Sequence, residues 1–266
     1  MGASERPFPD FMIIGAQRCG TTSLYRALTA HENVLELVVG AKGAHYFDTN
    51  FDRSTAWYRG HFPTEKQRGK VQAATGRPAI VGESSPYYLY HPAGPRRIHE
   101  LVPDARFVIL LRDPVARAHS HYQHMVFEGH EQLPTFEAAL AAEDERLRGE
   151  ASRLDADPTY RSPAHQHFSY VDRGMYADQI ERVYECFPRD QVLVVATEHL
   201  VTDPESVLVE IQRFIGLEPS GAVHLAKHNS GSYDAMPAAL RQELAGRFAD
   251  SNRRVSETTG LHLDWS

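Results

Sequence analysis

One segment near the start of the chain limits its fold more than any other. Phe11 to Leu24 reads FMIIGAQRCGTTSL. A short apolar run of buried-strand type enters a loop bounded by Gly15 and Gly20 and leaves it as a helix opening with three hydroxyl residues. The two glycines permit backbone angles and close approaches that side chains forbid. The free N–H groups at the helix start favour an anion. Arg18 adds a fixed positive charge with a donor fork, and Thr21, Thr22 and Ser23 add hydroxyls. Strand, anion-binding turn and helix in immediate succession point to an α/β chain with a parallel sheet.

The rest of the chain repeats that alternation. Thr21 to Ala30 has helical periodicity, and Ala79 to Gly82 is a short strand candidate. Arg106 to Leu111 (RFVILL) is apolar on both faces and predicts the central strand. A helix over Val115 to Phe127, a strand over Gln191 to Ala196, and helices over Pro204 to Ile215 and Pro237 to Phe248 follow. The predicted architecture is three-layer α/β/α around a mainly parallel sheet, in a single domain spanning 1–266. One stretch, about 134–167, reads as an insertion. It comprises a charged, alanine-rich, solvated helix over Glu137 to Glu150 and a proline-bearing loop over Asp155 to Ala164, and it is a candidate lid or substrate wall.

Bulk composition removes several alternatives. The 266 residues carry a net charge of −7, so overall charge does not point to nucleic acid or a membrane surface. No apolar run is long enough for a membrane span. Met1 to Asp10 lacks the sections of a signal peptide and reads as a frayed leader. Two distant cysteines, Cys19 and Cys186, suggest no disulfide framework, and a reducing cytoplasm is expected. Among the 15 histidines, His119, His121 and His124 cluster without the i, i+4 spacing of a helical zinc pair, so no metal is expected.

The first loop is near a Walker A motif but departs from it. Gly15 to Gly20 has the glycine spacing, yet the next residue is Thr21 where a kinase needs lysine, and the cation sits inside the loop at Arg18. A second motif, RFVILLRDPVARAHSHY over Arg106 to Tyr122, places Arg112 just past the central strand, where ligands bind in open α/β sheets. Asp113-Pro114 signals a helix start. Ser120 lies within that helix.

Together these motifs resemble the PAPS-dependent sulfotransferases (PAPS, 3′-phosphoadenosine 5′-phosphosulfate; its product PAP, 3′-phosphoadenosine 5′-phosphate), nearest to the bacterial and heparan-sulfate-type branch. The resemblance runs from Phe11 to Trp265 and includes Gly82 to Leu89 (GESSPYYL) and Gly260 to Trp265. It implies a P-loop-like fold. Arg18, Cys19, Gly20, Thr21, Thr22 and Ser23 would form the 5′-phosphosulfate loop, and Arg112 and Ser120 would hold the 3′-phosphate. The late segment Lys227 to Tyr233 resembles a closing loop, which makes Asn229 and Ser230 further donor contacts.

The catalytic base is where the sequence departs from the family. Lys42 to Asp48 reads KGAHYFD, with Gly43 where the glycan branch often has a glutamate base. His45 titrates near neutrality and becomes the first candidate, with Glu83 the second. Lys42 is expected to support the sulfuryl oxygens or the leaving group. Tyr46, Phe47, Tyr87, Tyr88 and Tyr122 flank the motifs and are candidate walls of an acceptor pocket for a small-molecule, lipid or carbohydrate hydroxyl. Two other functions fit less well: a PAPS-binding protein without transferase activity, suggested by Gly43, and a P-loop kinase.

Overall fold

The computed structural model describes residues 6–220 and 236–265. In chain order the elements are β1 (Phe11–Gly15), α1 (Thr21–Thr29), β2 (Val34–Leu35), α2 (Thr55–Arg59), α3 (Glu65–Thr75), β3 (Ile80–Ser84), α4 (Gly94–Leu101), β4 (Arg106–Leu111), α5 (Pro114–Phe127), α6 (Phe136–Leu147), α7 (Glu150–Ala156), α8 (Pro163–His167), α9 (Tyr176–Cys186), β5 (Val192–Ala196), α10 (Thr197–Thr202), α11 (Pro204–Phe214) and α12 (Ala238–Thr259). A 3₁₀ turn at Asp172–Gly174 leads into α9.

The five strands are all parallel, in the order β2-β3-β1-β4-β5. The chain passes from β1 to the edge at β2, returns to β3 beside β1, then crosses to β4 and β5 on the other side. This reversal beside β1 is the kind of crevice in which open α/β sheets bind ligands. β1 and β4 pair from Phe11↔Arg106 to Gly15↔Ile109. Their apolar composition follows from this position, since β1 and β4 from Phe107 onward are buried on both faces by helices. Edge strand β2 has only two residues, too few to leave a readable pattern.

The 134–167 stretch differs from its sequence reading. It is not a solvated excursion. Phe136 and Ala139 of α6 join Val115, Ala118, Tyr122 and Met125 of α5, Tyr170 and Val171, and Leu244 and Phe248 of α12 in a second apolar core. Glu143, in the supposedly solvated helix, is 2% exposed. Its carboxylate accepts the N–H groups of Val171 (2.8 Å) and Asp172 (2.8 Å), which the 3₁₀ turn leaves without backbone partners. The Asp155 to Ala164 loop is shorter than expected, because α7 runs to Ala156 and α8 begins at Pro163, with Ser162 as its cap. Glu131 anchors the insertion, accepting Arg146 at 2.6 and 3.1 Å and the Tyr170 hydroxyl at 2.7 Å. Asp10, the last residue before β1, accepts the Val81 N–H at 2.8 Å and pairs with Arg68.

Candidate active site

The β1–α1 loop has the form its sequence implies. Gly20 takes φ +86°, a left-handed conformation that glycine adopts without penalty. It caps α1 with no side-chain hydrogen bond, so no cap oxygen occupies the first amides of the helix. Arg18 takes φ +71°, and its Nε donates to Ser120 Oγ at 3.2 Å. Thr22 accepts from Lys42 Nζ at 2.8 Å. Thr22 and Ser23 are half-buried and Thr21 is buried. Cys19 departs from expectation. Its side chain is fully buried, 3.7 Å from the Tyr176 hydroxyl, and burial pushes the thiol up to about 11, so it faces the core as a neutral group.

The second motif sits next to the first because β1 and β4 are neighbours. Asp113 caps α5 by accepting the Val115 N–H at 2.9 Å and is held by Arg241 at 2.7 Å. Arg112, between β4 and that cap, is half-buried, and its guanidinium has no hydrogen-bond or ion-pair partner among the described residues. The Arg112 guanidinium is therefore available to an incoming anion.

Lys42 and His45 follow on the other flank of the loop. Burial, with the nearby charges of Arg18 and Arg26, pushes the Lys42 ammonium down to about 8. His45 takes φ +50°, and its Nδ1–H donates to Asp48 Oδ2 at 2.8 Å. The His45 side chain is 38% exposed and that of Asp48 is 0% exposed. Burial disfavours the imidazolium, but the Asp48 charge and hydrogen bond outweigh it and hold His45 above its ordinary 6.5. Asp48 also accepts the Thr49 N–H. With Nδ1 committed to Asp48, Nε2 is the nitrogen left to take a proton.

Position 43 has no room for the family's glutamate. A Cβ there would lie 2.3 Å from Ser85 Oγ and 2.4 Å from the Ser84 carbonyl. Glu83 does not replace it. Its side chain has no exposed surface, and its carboxylate accepts the Tyr58 hydroxyl (2.6 Å), the Ala44 N–H (2.9 Å), the Ser85 hydroxyl (3.0 Å) and, at 3.4 Å, the Tyr88 hydroxyl. Glu83 is a cross-link between β3 and the 42–48 segment, closed to an acceptor.

The aromatic candidates are core. Phe47 and Tyr88 have no exposed surface, and Tyr46 stacks on Tyr58 at 4.6 Å. Tyr87 bonds His165 at 2.8 Å, and Tyr122 donates to the Leu133 carbonyl at 3.0 Å. The rings pack in separate clusters, Phe47 against Tyr46 and Tyr88, Tyr87 against Tyr90 and His91, and Tyr122 against Phe136 and Tyr170, and all five candidates are buried. Asn229 and Ser230 lie outside the described residues. His121 is fully buried against Tyr170, and His119 meets Gln123 on the same helix.

Three contributors were not singled out in the sequence. Asp48 carried a signal, the i, i+3 spacing from His45. Thr197, which donates to the Cys19 carbonyl at 2.8 Å, and Arg173, which donates to Gln17, carried none, because both reach the loop from distant elements.

Comparison with known proteins agrees with this geometry. A family model for the sulfotransferase domain matches residues 8–238. Heparan sulfate glucosamine 3-O-sulfotransferase 6 of Mus musculus is 27% identical across 99% of this chain and 75% of its own length. The bifunctional heparan sulfate N-deacetylase/N-sulfotransferase 3 of Homo sapiens is 32% identical across 79% of this chain, which spans 22% of that protein. A solved sulfotransferase from Alicyclobacillus acidocaldarius superposes with a TM-score of 0.70 at 29% identity, covering 97% of this chain and 98% of that one. With its two arginine-bearing motifs joined across β1 and β4 and a family match over residues 8–238, the chain belongs to the sulfotransferase family.

Proposed function

We propose that this sulfotransferase uses PAPS as donor and a hydroxyl of a carbohydrate or small molecule as acceptor. The Arg18–Ser120 contact at 3.2 Å carries the reading, because it joins the two phosphate motifs in one crevice. The amides of α1, Arg18 and Lys42 take the 5′-phosphate and sulfuryl oxygens, and Arg112 and Ser120 take the 3′-phosphate.

His45 is the general base. Its Nε2 accepts the acceptor's hydroxyl proton as that oxygen bonds to sulfur. The S–O bond to the 5′-phosphate breaks, and the electron pair leaves with PAP, where Arg18 and the helix N-terminus stabilise the added charge. Asp48 holds the ring in place and stabilises the imidazolium that forms, the role of a carboxylate behind a catalytic histidine. The relatives' names include both O- and N-sulfotransferases. A base is needed for either acceptor, since alcohol and amine both lose a proton on sulfuryl transfer, and His45 can take it.

The decisive experiment is calorimetric titration with PAP, ADP and ATP, with and without magnesium. Tight, metal-independent binding of PAP with little ADP or ATP binding is expected. Magnesium-dependent ATP binding without preference for PAP would overturn the donor assignment. Sulfuryl transfer to hydroxyl and amine acceptors then separates O- from N-transfer.

A pH profile provides a second test. His45 must be neutral to act and Lys42 must be charged. The rate kcat/KM is therefore expected to rise as His45 loses its proton above pH 6.5 and to fall as Lys42 loses its own near pH 8, giving a narrow bell. Asp48→Asn removes the charge that raises His45 and leaves burial, which lowers it. The acid limb then moves to lower pH. An unmoved limb in that variant would reassign it away from His45.

A further inference from the structure

Arg173 is a fully enclosed arginine, 1% exposed, in the 3₁₀ turn that closes the 134–167 insertion. No carboxylate pairs with it among the described residues. One guanidinium nitrogen donates to Gln17 Oε1, and the other donates to the carbonyls of His165 (2.8 Å) and Gln166 (2.9 Å). Its charge lies over the Tyr87 ring at 5.0 Å and the Tyr90 ring at 4.6 Å. Its Nε is buried without a hydrogen-bond partner. A charge held this way is costly to bury, and burial pushes its pKa down to about 10. A structural cross-link alone does not require a full charge in this position, since neutral groups also bond carbonyls and amides.

Three segments meet at this guanidinium: the end of the insertion (His165 and Gln166), the YYLY stretch after β3 (Tyr87 and Tyr90), and Gln17. Gln17 immediately precedes Arg18 in the phosphate loop. We infer that Arg173 is a positioning residue for the donor. Through Gln17 it fixes the loop that presents Arg18 and the α1 amides, and it thereby couples the folded insertion to donor affinity. This rests on the PAPS reading above.

The test is a double-mutant cycle read by calorimetric binding of PAP to the full chain, using Gln17→Ala, Arg173→Lys and the pair. Each single change is expected to weaken PAP roughly 5–30-fold, less than the roughly 10–150-fold of a hydrogen bond to a charged group lost directly from the ligand, because the effect passes through the loop. The double variant is expected to be no weaker than the poorer single one, because both remove the same contact. Effects that multiply would show that Gln17 and Arg173 act separately and would overturn the inference, as would wild-type affinity in Gln17→Ala. A second measurement does not depend on Arg173→Lys folding. PAP should slow hydrogen exchange at 163–174 in the wild-type chain, and should no longer do so in Gln17→Ala at saturation. Equal protection in both proteins would overturn the coupling. Failure of the wild-type chain to bind PAP would instead remove the donor reading itself.

Discussion

Replacing His45 by alanine is expected to lower turnover by roughly 10²–10⁴ while leaving PAP affinity within a few-fold of wild type. The split follows from geometry. His45 is not part of the β1–α1 loop or of the β4–α5 motif. Its ring is held by Asp48 at 2.8 Å, with Nε2 left for the acceptor proton. Glu83 does not substitute for it, because it is sealed among Tyr58, Tyr88, Ser85 and Ala44, and Gly43 has no side chain. Single-turnover kinetics at saturating donor would isolate the chemical step. Full turnover in the alanine variant would remove His45 from the mechanism, and a loss of turnover in Asp48→Asn that matched it would point to the pair acting as a unit.

Arg112→Ala is expected to weaken PAP binding by about 1.5–3 kcal/mol, the range for a hydrogen bond to a charged group, or roughly 10–150-fold. Stability should change little. The guanidinium is half-buried and makes no hydrogen bond or ion pair among the described residues, so its removal leaves no polar group stranded. Adenosine 5′-phosphosulfate, which lacks the 3′-phosphate, makes the reading specific. Its binding should be almost unchanged by the substitution. Equal weakening of both ligands would assign Arg112 a general electrostatic role and not recognition of the 3′-phosphate.

The parts of the fold that were legible in sequence are those written in contiguous residues. FMII and RFVILL are apolar because both faces are covered, and they appear as β1 and β4 within one residue of their expected ends. Asp113-Pro114 marked the start of α5, and Gly20 with Thr21 marked that of α1. Features set by distant partners were not legible. GESSP shows a carboxylate, but nothing in it reveals that Tyr58 closes over Glu83 from α2. Aromatic residues near a motif look alike whether they line a pocket or fill a core, and here Phe47 and Tyr88 fill one. The acidic face of α6 disguised Glu143, whose partners are backbone amides that leave no mark in composition. Helix α12 was read only as far as Phe248, because beyond it the buried positions thin out to Ser251 and Val255 in an otherwise polar run.

The pairing of β1 with β4 also bears on how the molecule is assembled. The residues it brings together, Arg18 and Ser120, are 102 positions apart in the chain. Closing so long a loop is entropically unfavourable, and it is repaid only once the strands and helices between them are packed. The crevice can therefore form only after the intervening strands and helices have packed. A ligand that spans it behaves as a clasp across the middle of the sheet. Its occupancy reports on the folding of the whole core and resists the separation of the two halves.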